Sequence, residues 1–342
     1  MQLLHDLNPD NLLIEEQAVE YTKSLGVALN LQSHTVQVSQ DRRVRIYLAA
    51  AVEIHMDKNT QTMYLSSLKD ILPLDCHNSL HKTEALQRGC RLRPEFLKAY
   101  QHSLCSGALT PTSGATKTEV ETNDAALIRA SRFLRESWIP GFIKSLDILD
   151  IRPFDSRSLT VEMHQKGINM RYLGMICERS AVPFVRNLAL TEMVARASKH
   201  AFQSRLREAI LHFRSVGATN IEREMEVYAV GFFTLILSNT DKSRTYFHSQ
   251  IQPDLAEMFN YTLSEKQYAN IHRPALFLAL QYHVISINVV RRNIFRLLSL
   301  RFHGPQPASD FKFHSISFPF KNPFGSSKSA RYQPTRGRAA FV

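Results

Sequence analysis

At 342 residues with 44% apolar content, the chain is long enough to bury a substantial core and too apolar to be intrinsically disordered throughout. Forty-two Lys and Arg against 31 Asp and Glu leave a formal charge of +11, which suits polyanionic partners as well as it describes an ordinary basic surface. Cys76, Cys90, Cys105 and Cys177 stand far apart without a C-x-x-C pair, so neither a zinc site nor a disulfide framework is expected, and a reducing compartment is.

Met1 to Asp10 has neither a basic start nor a continuous apolar run, and no targeting segment is expected. The apolar runs 227–237 and 274–290 are too short or too polar to span a bilayer, so a cytoplasmic protein is expected. β-branched and aromatic residues over Val44–Met56 and Gln61–Leu68, joined by Asp57-Lys58-Asn59-Thr60, predict an antiparallel hairpin. Pro94 opens a predicted helix through Tyr100. Residues 105–122, rich in Ser, Thr, Gly and Ala, are expected to be a flexible linker or insertion. Asp124 is then the expected cap of a helix whose Leu127, Ile128, Phe133, Leu134 and Trp138 recur at helical spacing until Pro140-Gly141 breaks it.

Ser156 or Ser158 is the expected cap of a short helix through His164, ended by Gly167 in the left-handed conformation. Helix restarts over Met170–Glu178. Pro183–Phe202, Ile221–Leu237, Asp254–Tyr261, Ser264–Asn288 and Arg291–Phe302 follow at helical period. From Gly304 the composition turns to Pro, Ser, Lys and Arg, predicting a basic tail without regular structure. The predicted fold class is α+β: a mixed N-terminal part, 1–104, with an antiparallel hairpin packed on a larger, mainly α-helical part, 123–303, ahead of the disordered tail 304–342.

On a helix from Leu190, the residues Leu190, Met193, Val194, Ala197 and Ala201 share one face, and Glu192, Arg196, Lys199, His200 and Arg207 another. Arg205 and Arg214 prolong the basic side. One reading makes Arg196, Lys199, His200, Arg205, Arg207 and Arg214 an RNA-backbone contact, weak in sequence preference and steep in salt dependence. The other pairs Arg196 with Glu192 one turn earlier and leaves an ordinary solvated face. The interleaved aromatic and basic pattern of an RNA-recognition sheet is missing, and no DNA contact is expected.

No G-x-x-x-x-G-K-[ST], G-x-G-x-x-G, H-E-x-x-H or G-x-S-x-G occurs, so no catalytic residue, metal ligand or cofactor is assigned. The hairpin with Glu53, His55 and Asp57 slightly resembles strands beside a kinase active site, but the H-R-D and D-F-G elements are missing. His164 and His200 lack a Cys or second His at ligand spacing and are read as structural. Asn169 is assigned to a turn. Arg171 and Tyr172 are assigned to an interior anchor, the guanidinium meeting a buried acid or helix-end carbonyl and the phenol packing beneath it.

The run His164, then Gly167-Ile168-Asn169-Met170-Arg171-Tyr172-Leu173-Gly174, followed by Glu192 to His200, resembles the clustered mitochondria (CLU) family. Val52-Glu53-Ile54-His55 and Met63-Tyr64-Leu65 resemble its paired strands, Arg91-Leu92-Arg93-Pro94 a helix start, and Phe232 to Asn239 with Ser243 to Phe247 part of its central region. Residues 20–290 are covered on this reading. Family members are usually much longer, with a ubiquitin-like segment before this core and tetratricopeptide repeats after it, and neither is expected in this chain. The resemblance implies a non-enzymatic cytoplasmic scaffold or RNA-associated factor, linked to mitochondrial distribution and to translation of mitochondrial proteins. Its implied partners are mRNA or ribosome-associated factors. The alternative is a pure protein-interaction module, an assembly or translation-initiation partner without RNA binding.

Overall fold

The computed structural model describes residues 9–39, 42–49, 52–57, 62–66, 70–76, 90–110, 114–216, 221–238 and 240–284. The expected helix Arg291–Phe302 and the tail from Gly304 lie outside the described residues. The architecture is α+β and mostly helical, and among the described residues the antiparallel pairs fall in the N-terminal part.

Helix α1 (Pro9–Ala28) leads into two hairpins, β1 (His34–Ser39) with β2 (Arg42–Ile46), and β3 (Glu53–Asp57) with β4 (Thr62–Ser66). The second is the expected one, with Ile54 opposite Leu65 and His55 opposite Tyr64. The first is additional. Strand alternation turns His34 and Val36 of β1 inward, opposite Ile46 and Val44. The predicted strand Val44–Met56 is in fact two strands, because Leu48, Ala49 and Val52 turn into the core, each at most 5% exposed. At that bend Ser106 Oγ donates to the Tyr47 carbonyl at 3.1 Å.

Helix α2 (Pro94–Ala99) starts at its proline as expected. Helix α3 (Lys117–Phe133) starts earlier than expected: Thr116 caps it by accepting from the Glu119 amide at 3.2 Å. Asp124 is therefore no cap; it lies inside α3 and accepts from the Leu109 amide at 2.7 Å. Of the stretch 105–122, Cys105 to Ala108 are buried and Lys117 to Thr122 are helix. Glu119 ties the first hairpin to α3, accepting from the Thr35 amide and hydroxyl at 3.1 and 3.3 Å.

Pro140-Gly141 does not break the helical run. A π-helical turn, Leu134–Trp138, sends the Ile139 amide back five residues to the Leu134 carbonyl, and the ladder resets in α4 (Ile139–Asp147) where the proline's missing donor falls in the first turn. Helix α5 (Ser156–Gln165) is capped by Asp155 rather than by Ser156 or Ser158: its carboxylate accepts from the Ser158 amide at 2.6 Å, and the Asp155 amide donates to Ser158 Oγ at 3.0 Å.

A 3-10 turn (Met170–Tyr172) and α6 (Leu173–Arg179) restart helix as expected, and α7 (Pro183–Ser215) runs past Phe202. Helix α8 (Ile221–Leu237) has the expected bounds; α9 (Asp241–Tyr246), a π-helical turn (Phe247–Ile251) and α10 (Gln252–Phe259) follow. The expected helix Ser264–Asn288 is two, α11 (Glu265–Ala269) and α12 (Arg273–Val284), because Pro274 fits a first turn but not a helix interior.

The chain divides into two compact units, one of Met1–Ala201 with Ser249–His283, the other containing Phe202–His248. The first is centred on Leu127, Leu134, Leu159, Leu173, Met193 and Leu280, none more than 1% exposed. In the second, Phe202 is fully buried, with ring centroids 5.0 Å from Phe232 and 6.1 Å from Tyr228.

Candidate functional site

The segment that carries the family resemblance is a fixed turn between α5 and α6. Gly167 takes φ +68°, the left-handed form expected of it, and its amide and that of Ile168 donate to the His164 and Met163 carbonyls, each at 2.8 Å. Trp138 Nε1 donates to the Lys166 carbonyl at 2.7 Å. Asn169 serves the turn as expected, its side chain accepting from the Arg171 amide at 3.4 Å. Ile168 and Leu173 are fully buried, and Gly174 lies so close to the Phe259 carbonyl that a Cβ would collide with it.

The interior anchor is the phenol rather than the guanidinium. Tyr172 Oη donates to Asp75 Oδ2 at 2.7 Å, both side chains buried and 97 residues apart. Arg171 lies over the Tyr172 ring, 5.8 Å from its centroid. Burial pushes the Asp75 carboxyl up, opposed by the Tyr172 hydrogen bond and by the charges of Arg171 and Arg135. Replacing Tyr172 by Phe removes the phenol's hydrogen bond from a buried carboxyl. It is expected to lower the unfolding free energy by about 1–3 kcal/mol; an unchanged urea midpoint would show that Asp75 does not depend on the phenol.

Helix α7 is not two-faced over Leu188–Ala195. Leu188 to Ala195 are buried all round, none above 8% exposed, and Glu192, placed by spacing on the basic side, is 1% exposed. Its Oε1 accepts from Arg196 Nε at 2.6 Å and Thr160 Oγ1 at 3.2 Å, and lies 2.7 Å from His283 Nε2. The predicted Arg196–Glu192 pair forms, but it seals an interior acid instead of decorating a solvated face. Burial pushes the Glu192 carboxyl up, yet His283 and Arg196 together hold it below its ordinary value. Nothing at helical spacing pointed to Asp75, Thr160 or His283. A usable signal for Glu192 was its position as the sole acid within the apolar run Leu188 to Val194.

The rest of the basic set is dispersed in role. His200 is exposed and 3.0 Å from Asp254 on α10, and Lys199 is part-exposed. In the second unit, Arg205 lies over the Tyr246 ring at 4.9 Å, and Arg207 is exposed. Arg214 belongs to α7, but its side chain is outside the described set. His164 is half-buried beside Arg93, Glu95, Arg196 and Glu192.

Burial first, and neighbouring charge second for His164, lowers the imidazoles of His34 and His164 below their ordinary 6.5. The unfolded chain takes up these protons near pH 6.5 and the folded chain does not, so stability is expected to fall as pH drops below about 6.5 and to level off below the folded values. Urea midpoints at about pH 7.5 and 5.5 check this: His34→Leu with His164→Leu should flatten the difference, and an equal difference would exclude both rings as its source.

Between α4 and α5, Ile148, Leu149 and Phe154 are 66%, 52% and 78% exposed. Leu149 takes φ +60°, a left-handed conformation that costs a branched residue energy. The loop is nevertheless held: the Asp150 and Ile151 amides donate to the Ser145 carbonyl at 3.0 and 3.1 Å, and the Asp147 carboxylate accepts from Ser180 Oγ at 2.6 Å and the Ala181 amide at 2.9 Å. Among the described residues no group of His, Cys, Asp and Glu is arranged to hold a metal ion, and no helix is long and apolar enough to cross a membrane.

Residues 150–221 match the family model described as Translation initiation factor eIF3 subunit 135. The chain is similar to the Clustered mitochondria protein homolog of Dictyostelium discoideum, 42% identical over 96 residues, which is 28% of this chain and 7% of that protein. It is also similar to the homolog of Neurospora crassa, 40% over 101 residues, 28% of this chain and 8% of that protein. The Clustered mitochondria protein of Arabidopsis thaliana is 30% identical over 98 residues, 28% of this chain and 7% of that protein. The resemblance read from the glycine turn thus holds, over a narrower stretch than residues 20–290. The chain spans less than a tenth of the length of these curated relatives. No solved structure matches it.

Proposed function

We propose that this chain is a non-enzymatic, cytoplasmic scaffold acting in mitochondrial distribution, and that it engages a protein partner through the loop between α4 and α5. The observation that carries the reading is Ile148, Leu149 and Phe154, three large apolar side chains more than half exposed on a hydrogen-bonded loop, one of them in a left-handed conformation. Single exposed apolar residues are ordinary, but three on one hydrogen-bonded loop, with a left-handed residue among them, are a form an interaction site takes. The loop adjoins the start of the 150–221 match, and the names of the similar proteins supply the mitochondrial role and the translation-machinery setting. In the test, Ile148→Ser with Phe154→Ser is expected to leave the melting temperature unchanged while abolishing crosslinks to partner proteins and rescue of mitochondrial distribution. Full rescue with intact crosslinks would sink the reading.

A second reading, an RNA-associated factor contacting mRNA or ribosome-associated factors, is favoured by the +11 charge and by Lys199 and Arg207, which carry no hydrogen bond or ion pair among the described residues. Sequencing of crosslinked RNA separates the two. The scaffold predicts recovery no better than a charge-matched control; recovery that falls with Lys199→Glu and Arg207→Glu, and steeply with salt, would put RNA in its place.

A further inference from the structure

His34 opens β1 with its imidazole only 2% exposed, and neither ring nitrogen has a partner at hydrogen-bonding geometry, although the Gln32 carbonyl lies close enough to favour a protonated ring. A neutral imidazole carries one donor and one acceptor, and burial keeps this one neutral. Native interiors rarely leave both unmade, and ordered water is the usual partner where no protein group reaches. The ring lines a cavity shared with Cys105, Thr110, Asn123 and Asp124, with room for about one water.

The polar groups on that wall are only partly committed. Thr110 Oγ1 donates to the Gly107 carbonyl at 2.5 Å, and Asp124 Oδ1 accepts from the Leu109 amide at 2.7 Å. Lone pairs remain on the hydroxyl and the carboxylate, beside the amide of the buried Asn123. These are enough to give a water the two to four partners it needs. Cys105 offers no competing chemistry, since burial pushes its thiol up to about 11 and keeps it protonated at neutral pH.

We propose that this cavity is the binding site of one structural water, held by the His34 imidazole, that ties the first hairpin to the 105–110 turn and to α3. The water supplies one ring nitrogen with a hydrogen bond that no protein group makes at good geometry, and joins the three segments that line the cavity. A crystal of the full chain is expected to show density within about 3.2 Å of a ring nitrogen. In solution, oxygen-17 relaxation dispersion should count one slowly exchanging water fewer in His34→Leu than in the unsubstituted chain. Ala115→Val, which fills the same cavity from its wall, should lose that water too and serves if His34→Leu fails to fold. A well-ordered empty cavity, density that refines as a metal ion or a larger molecule, or an unchanged count in a folded variant overturns the proposal.

Discussion

Replacing Glu192 by Ala is expected to cost about 3–5 kcal/mol of folding stability, the range for removing one partner from a buried ion pair. The loss is large because of what remains: His283, 6% exposed, and the Arg196 guanidinium lose the oxygen they converge on, while the Thr160 hydroxyl keeps the Ser156 carbonyl at 2.9 Å. Urea unfolding followed by circular dichroism measures it, and a loss under about 1 kcal/mol would show that Arg196 and His283 find other partners. Glu192→Leu combined with His283→Leu is expected to recover much of the stability, since a well-packed apolar replacement of a buried pair is often near neutral. The pH dependence has a definite sign. The folded carboxyl is held below its ordinary 4.5, so its contribution is complete above that value and is lost as pH falls through the folded value.

Gly167→Ala is the second large effect, about 2–5 kcal/mol. A Cβ at φ +68° carries the left-handed penalty of about 1–2 kcal/mol. It would also collide with the backbone of Phe96, and displacing packed structure costs about 1–3 kcal/mol more. Gly141→Ala is the control: it sits in α4 with open space around it, and is expected to be neutral or to stabilise by up to about 1 kcal/mol. Thermal melts of the two variants should therefore move in different directions or by very different amounts. Equal shifts would mean that the turn tolerates a side chain.

What was legible in the amino-acid order was local. Gly167 at the end of an apolar-periodic segment, Asn169 in its turn, Pro94 at a helix start and the unbroken apolar period of α8 each announce their structure within a few residues. Caps were less legible, because Asp155, Ser156 and Ser158 are all good cap residues and only the backbone decides among them. Pro140 misled because a π-helical turn, which has no simple composition, moved the ladder to accommodate it. The site was hidden for another reason. Glu192 has a polar neighbour at i+4 that explains it as a surface residue, and the partners that bury it, Thr160 and His283, lie 32 and 91 positions away. Spacing along one helix carries no information about that encounter.

Three stretches remote in the chain meet at a single carboxylate oxygen, and a fourth meets the glycine turn through Asp75. The portion shared with the translation-factor family, 150–221, contains Thr160, Tyr172, Glu192 and Arg196 but neither Asp75 nor His283. Excised on its own, that portion would hold an acid and a phenol shaped for contacts it no longer possesses. A fragment that keeps both contacts therefore has to reach from before residue 75 to beyond residue 283, well outside the borders that similarity draws.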